Sequence, residues 1–223
     1  SLIAVQGPES LNVLKFLNIT SELFFMNSHV IKFQDNLIIV NRSGYTGEDG
    51  FEISVPNSIV LNFIKSVMKN TNSKLCGLGS RDSLRLEAGL SLYGNELNED
   101  ITPVDANLTW SIHKERLNDE NLNGQKILLK QVKTKFHKKK IGIKSLSKSI
   151  LRSNMKLIDI DNNQIGIITS GGFSPTLNLS IGIGLLENTS NDNKIFSLIR
   201  GNIEELEIVN LPFIKNNYER GKK

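Results

Sequence analysis

The stretch Asn41–Ile53, NRSGYTGEDGFEI, constrains the fold most. Three glycines, Gly44, Gly47 and Gly50, recur at every third position between two strand-like runs. Glycine tolerates positive φ and lets another backbone or a ligand come close. Leu37-Ile38-Ile39-Val40 precedes the stretch, and Phe51-Glu52-Ile53-Ser54-Val55 follows with period-two alternation. This predicts strand, tight glycine-rich turn, strand. A hairpin alone accounts for such spacing. Glu52 opens a second reading. Phe51, Ile53 and Val55 share one face, so Glu52 and Ser54 point to the other. On a solvated face Glu52 is ordinary. Lining a cavity, its carboxylate accepts two parallel N–H bonds, as a guanidinium or an aminopyrimidinone edge would offer.

At 223 residues the chain is long enough for a sizeable core and for two domains. It has no apolar run of membrane-spanning length, and Ser1–Pro8 lacks the basic start and long apolar segment of a secretion signal. Membrane insertion is therefore not expected. The single cysteine, Cys76, excludes an internal disulfide and fits a thiol-reducing compartment. The net charge of +4 is mild, and much of the excess sits in Lys130–Lys140. Nucleic-acid binding needs a broader basic face with motif support, and none is present. His29, His113 and His137 are scattered without metal-ligand spacing, so no metal is expected. No serine sits in a nucleophile elbow, and no glycine loop is followed by the Gly-Lys-Ser/Thr of a nucleotide P-loop.

In chain order, residues 1–6 predict a buried strand and Gln6-Gly7-Pro8 a turn, followed by a short helix on Leu11, Leu14 and Leu17. Ile59, Val60, Phe63, Ile64, Val67 and Met68 form an apolar stripe that predicts a helix packed on its own sheet. In CGLGSRDSLRLEAG, residues 76–89, Ser80 or Asp82 caps a helix that stops at Gly89. Arg81 stands at that helix start, where the dipole disfavours a cation. It either holds an anion or acidic group, or pairs with Asp82, Glu87 or Glu48. Leu108–Ile112 alternates like a strand, with Trp110 in the core or on a pocket wall, core being the simpler assignment. A helix over Gln125–Val132 runs into the basic stretch Lys133–Lys140, which reads as a solvated linker or as an attractor of acidic partners. Beyond it, short strands at 141–143, 155–158, 164–169, 179–185, 194–199 and 203–209 predict a small all-β barrel. Its loop Ser170–Thr176 is a plain turn or a phosphate nest. The tail after Tyr218 reads as a disordered basic tip.

Taken together, Gln6-Gly7-Pro8 with its helix, GYTGEDGFEI at 44–53, CGLGSRDSLRLEAGLSLYGNEL at 76–97 with ITP at 101–103, and TSGGFSPTL at 169–177 resemble the T-protein family of the glycine cleavage system, in the same order and spacing. The resemblance covers essentially the whole chain. It implies an α+β fold: a mixed α/β folate-binding region over residues 1–133, part of a three-domain cloverleaf, then a small C-terminal antiparallel β-barrel over 134–223. It implies a tetrahydrofolate-dependent aminomethyltransferase that moves a one-carbon unit from the aminomethyl-lipoyl arm of H-protein to tetrahydrofolate, the co-substrate, releasing ammonia. Non-catalytic folate-binding relatives and folate-dependent demethylases are the alternatives. By resemblance Glu52 grips the pteridine ring, Tyr45 lines the folate channel, and Arg81 and Tyr93 contact folate. Lys215 and Tyr218 stand where members carry an arginine or tyrosine. The family's N-terminal segment, with the Gly-Gly-x-x-Asp-Asp-type motif that holds its catalytic aspartate, has no counterpart here. No catalytic residue is therefore assigned. The chain is expected to be a truncated form or fragment, weakly active or inactive alone. The family setting is bacterial cytoplasm, or mitochondrial matrix in a eukaryote.

Overall fold

The computed structural model describes residues 1–19, 22–70, 72–134, 138–187 and 194–221. The chain divides into two compact units, one of Ser1–Ala88 with the segment from Lys215 onward, the other of Gly89–Ile214.

The first unit contains β1 (Leu2–Gln6), α1 (Ser10–Phe16), β2 (Ser28–Phe33), β3 (Asn36–Asn41), β4 (Gly50–Ser54), α2 (Val60–Met68) and α3 (Leu78–Glu87). The four strands form an antiparallel sheet in the order β1-β4-β3-β2. One face of the sheet is the core. Phe51 and Ile53 of β4, Val40 and Ile38 of β3, and Phe33 of β2 meet Val13 and Leu14 of α1 and Phe63 and Val67 of α2. The Phe33 and Phe63 rings pack edge to face at 5.1 Å. Each such fully buried side chain stabilises by about 1.5–3 kcal/mol relative to exposure. The stripe expected on α2 is thus a core stripe, and β4 alternates as its sequence predicts, with Phe51, Ile53 and Val55 buried and Glu52 and Ser54 half-buried on the opposite face.

Four local expectations of this unit are corrected. β1 is a strand but not a buried one: it lies at the sheet edge, with Leu2 64% exposed. The connection between β3 and β4 is a broad loop over residues 42–49 rather than a tight turn, because ladder pairing begins only at Asn41↔Glu52. α3 starts at Leu78 behind Gly77, so neither Ser80 nor Asp82 is its N-cap; its end does match, with Gly89 at φ +67°. The tail past Tyr218 is ordered on this unit through Gly221, with Glu219 accepting the Phe25 N–H at 2.7 Å; residues 222–223 lie outside the described part.

The second unit contains α4 (Gln125–Thr134), β5 (Lys139–Ser145), β6 (Lys156–Ile158), β7 (Gln164–Ser174), β8 (Leu179–Leu186), β9 (Ile195–Ile199) and β10 (Asn202–Val209). The strands close a six-stranded antiparallel barrel in the order β10-β5-β8-β7-β6-β9, as the sequence predicts. Its interior is built from branched aliphatics such as Ile143, Leu157, Ile168 and Ile195. A Cβ on Gly166 would stand 2.4 Å from the Leu185 carbonyl oxygen, so only glycine lets those strands approach. Ser170–Ser174 is not a loop. It continues β7 past a register shift between Ile168 and Ser170, and the turn falls later, before Leu179. Leu108–Ile112 is not a strand but a 3₁₀ turn over Thr109–Ser111, and Trp110 is 81% exposed rather than core. Of the basic run, Lys133 lies in the last turn of α4 and Lys139 begins β5; residues 135–137 lie outside the described part.

Candidate functional site

The loop over residues 42–49 is braced from several sides within the first unit. Arg42 forms a bidentate pair with Asp49, Nε to Oδ1 at 2.8 Å and Nη2 to Oδ2 at 2.5 Å, and Nη1 donates to the Leu23 carbonyl at 2.6 Å. The hydrogen bonds it donates to Asp49 hold the guanidinium pKa above its ordinary value against the opposing effect of burial. From β1, Gln6 inserts its carboxamide: Nε2 donates to the Ser43 carbonyl at 3.0 Å and the Phe51 carbonyl at 3.3 Å, and Oε1 accepts from Thr46 Oγ1 at 3.1 Å. Gly44 and Gly50 leave room for it. A Cβ at Gly44 would stand 1.9 Å from Gln6 Oε1, and one at Gly50 2.5 Å from Gln6 Cδ. Gly47 is different: it sits at φ +79°, where side chains are disfavoured.

The C-terminal segment closes over the same loop. Asn217 donates its backbone N–H to the Gly47 carbonyl at 2.8 Å and its side-chain amide to Glu48. Tyr218 stacks on Phe25 with centroids 4.1 Å apart, and the Arg220 guanidinium lies over both rings at 5.6 and 5.2 Å. Burial pushes the Tyr218 phenol above its ordinary pKa, so it is neutral across the physiological range.

Glu52 hangs beside the loop on the sheet face away from the core. Its Oε2 accepts from Ser43 Oγ at 2.8 Å, and among the described residues no donor faces its other oxygen. The Arg81 guanidinium lies 5.0 Å from the centre of the Tyr45 ring, a cation–π contact that brings two sequence-predicted site residues together. Asp82, one of the partners considered for Arg81, is taken by Arg85 at 2.8 Å instead. Lys215 is exposed at the start of the segment that holds Tyr218. Tyr93 belongs to the second unit, where it is 73% exposed and bridges to Leu97.

The second unit has its own buried polar cluster. Glu96, fully buried, accepts from the Leu92 N–H at 2.9 Å and from Thr169 Oγ1. Asn95 donates to Ser170 Oγ at 3.0 Å. Lys140, 7% exposed, donates to Ser91 Oγ at 2.8 Å. Burial lowers the Lys140 pKa, and the Glu96 charge opposes the shift. Two of the motif stretches, 76–97 and 169–177, meet here. Sequence reasoning missed Gln6, Arg42, Asp49, Glu96 and Lys140 as organising residues. Only Gln6, an amide at the end of the apolar run Leu2–Val5, carried a local signal; Arg42, Asp49, Glu96 and Lys140 stand in polar or basic stretches where nothing local marks them. Among the described residues no group of three or more His, Cys, Asp or Glu side chains could hold a metal ion. No helix among them is long and apolar enough to cross a membrane.

An α/β unit built around a braced glycine loop, with a closed six-stranded barrel in the same chain, defines a two-part architecture that comparison with known proteins identifies. The GCVT N-terminal domain matches residues 1–116, and the glycine cleavage T-protein C-terminal barrel domain matches residues 138–215. The chain belongs to the glycine cleavage T-protein family. The mitochondrial aminomethyltransferase of Pisum sativum is 40% identical over 98% of this chain and 55% of its own length. The aminomethyltransferase of Caldanaerobacter subterraneus is 37% identical over 98% of this chain and 59% of its own. The crystal structure of glycine cleavage system aminomethyltransferase T from Bartonella henselae superposes with a TM-score of 0.90 at 34% identity, covering 98% of this chain and 60% of that one. The chain thus spans little more than half the length of these relatives.

Proposed function

We propose that this chain is the folate-handling portion of a tetrahydrofolate-dependent aminomethyltransferase, acting on the aminomethyl-lipoyl arm of H-protein. The observation that carries the reading is Glu52: a carboxylate off the core face, fixed by Ser43 through one oxygen while the other faces no donor among the described residues. Such a group suits the paired N–H donors of a pteridine edge. Tetrahydrofolate would supply the nitrogen that accepts the one-carbon unit. Glu52 would orient it, the Tyr45–Arg81 pair would offer an aromatic face and a cation, and Tyr218 and Lys215 would contribute further contacts; a folate contact for Tyr93 rests on the family resemblance alone. The names of the relatives support transfer over mere folate binding. No residue here is assigned the proton transfers of the reaction. A positioned acid–base group typically contributes about 10²–10⁴-fold, so the chain alone would be weakly active or inactive. The barrel from residue 134 onward would be a distinct domain, in keeping with the gap between the matches ending at 116 and beginning at 138. The setting would be bacterial cytoplasm or mitochondrial matrix, since relatives of both kinds match.

Calorimetric titration with tetrahydrofolate tests this, with Glu52→Gln alongside. A hydrogen bond to a charged group is worth about 1.5–3 kcal/mol, so the variant should bind roughly tenfold or more weakly. Equal affinity of the two proteins would remove Glu52 from the site. A coupled assay of the chain with H-protein and tetrahydrofolate tests the activity claim: turnover at the level of an intact relative would overturn it. A methylated amine donor used in place of aminomethyl H-protein would identify a demethylase.

A further inference from the structure

Phe25 lies in a turn that is bonded to the base of the glycine loop. The Asn27 N–H donates to the Phe24 carbonyl at 2.9 Å, and the Phe24 N–H donates to Asn27 Oδ1 at 3.1 Å. Arg42 ties this turn down. Its carbonyl accepts from the Met26 N–H at 2.9 Å, its N–H donates to the Asn27 carbonyl at 3.0 Å, and its Nη1 donates to the Leu23 carbonyl. Leu23 is itself part of the core. The guanidinium that holds Asp49 at the far end of the loop thus also fixes the backbone that carries Phe25.

Phe25 offers the C-terminal segment both a donor and a ring. Its N–H bonds the Glu219 carbonyl at 2.7 Å. Its ring lies 4.1 Å from that of Tyr218, with only 12° between the planes. The Arg220 guanidinium lies over both rings. The segment from Lys215 onward has no helix or strand of its own among the described residues. Without packing, a tyrosine there would be free to turn among its rotamers. The stack fixes the ring, and among the described residues the Tyr218 hydroxyl makes no hydrogen bond. A tyrosine buried for stability alone ordinarily pairs its hydroxyl. A ring held on one face with its hydroxyl unspent is suited to a ligand.

We propose that Phe25 is a positioning residue for folate binding: with Arg220 it holds the Tyr218 ring in the pose in which the phenol meets tetrahydrofolate. The inference rests on the folate reading above and adds to it a residue that itself touches no ligand. Phe25 acts only through Tyr218. A ring stacked on a ring shifts the population of the held pose by about two- to tenfold. Apparent affinity scales with that population, so losing the stack weakens binding without abolishing it.

The test is calorimetric titration with tetrahydrofolate of the wild-type chain, Phe25→Leu, Phe25→Tyr, Tyr218→Leu and the Phe25→Leu/Tyr218→Leu double variant. Phe25→Leu should bind about two- to tenfold more weakly, and Phe25→Tyr, which keeps the stack, should bind as the wild type does. In the Tyr218→Leu background Phe25→Leu should cost nothing further, an outcome that a merely structural role would not produce. Urea unfolding checks that each variant is folded. Should Phe25→Leu not fold, Arg220→Met, an exposed change, takes its place in the same cycle, with an expected loss of about two- to fivefold. Undiminished affinity in Phe25→Leu or its replacement, an equal loss in Phe25→Tyr, or a loss that persists without Tyr218 overturns the proposal. Binding weakened in Glu52→Gln but unchanged in Phe25→Leu overturns this inference and leaves the folate reading standing. No binding by the wild-type chain, by contrast, overturns the folate reading and this one with it.

Discussion

Arg42 and Asp49 grip each other across the ends of the loop that joins β3 and β4, with both guanidinium and carboxylate side chains largely buried, at 8% and 16% exposure. They are the residues next to the two strand ends, so the pair sets the width of the loop mouth. Removing one partner of a buried pair leaves a charge without compensation and costs about 3–5 kcal/mol. Asp49→Ala should therefore destabilise the first unit by about 3 kcal/mol, measured by urea unfolding, and Asp49→Asn should recover part of that. A loss below about 1 kcal/mol would mean that water replaces the carboxylate and that the pair does not brace the loop.

Gln6 and Gly44 form a plug and its socket. Gln6→Ala removes hydrogen bonds to Ser43, Phe51 and Thr46, at about 0.5–1.5 kcal/mol each. Gly44→Ala would place a Cβ 1.9 Å from Gln6 Oε1 and evict the same carboxamide. The two changes should therefore be strongly non-additive: in the Gln6→Ala background, Gly44→Ala should lose most of its cost, with a coupling of about 1 kcal/mol or more. Additive costs in a double-mutant cycle would show that Gly44 is needed for something other than Gln6.

The alternating pattern of β4 and the apolar stripe of α2 were legible because burial follows strand and helix periods directly, and the barrel because short strands alternate with Asn, Gly and Ser turns. The loop was harder. Its glycine spacing predicts a turn, yet Gly44 and Gly50 answer to Gln6, dozens of residues away in sequence. No local pattern encodes that contact. Trp110 and Ser170–Ser174 failed for different reasons. The Gly-Gly-Phe-Ser-Pro signal was overridden by pairing with β8, whereas Leu108–Ile112 closed local bonds, Ser111 N–H to the Leu108 carbonyl and Ile112 N–H to the Thr109 carbonyl, in place of a ladder. At the site, the direction of Glu52 was readable from the strand period. The Tyr45–Arg81 contact was not, since it joins a loop to a helix start.

Trp110, the chain's single tryptophan, reports on this directly. At 81% exposure its indole should emit close to free tryptophan in water and be fully accessible to acrylamide quenching. A blue-shifted, quencher-resistant emission from the native chain would place Trp110 under cover and contradict the 3₁₀ turn described for residues 109–111.

Lys140 makes a pH-dependent prediction whose sign follows from its burial. The folded chain holds this ammonium at a pKa below the ordinary lysine value of 10.5, because burial outweighs the attraction of Glu96. Between the lowered folded pKa and 10.5 the unfolded chain binds more protons than the folded one, so the folded state gains stability as pH rises through that interval. Below the interval the ammonium is charged in both states and the cost of burying it is present in full. Lys140→Met removes the group while keeping its apolar stem. The stability of wild type minus that of Lys140→Met should therefore climb as pH is raised from neutrality toward 10.5, the contributions of the other lysines cancelling in the difference. Urea unfolding of both proteins across that range gives the curve. Parallel stabilities would show that the Lys140 ammonium is solvated in the native protein, and that Ser91 is not its working partner.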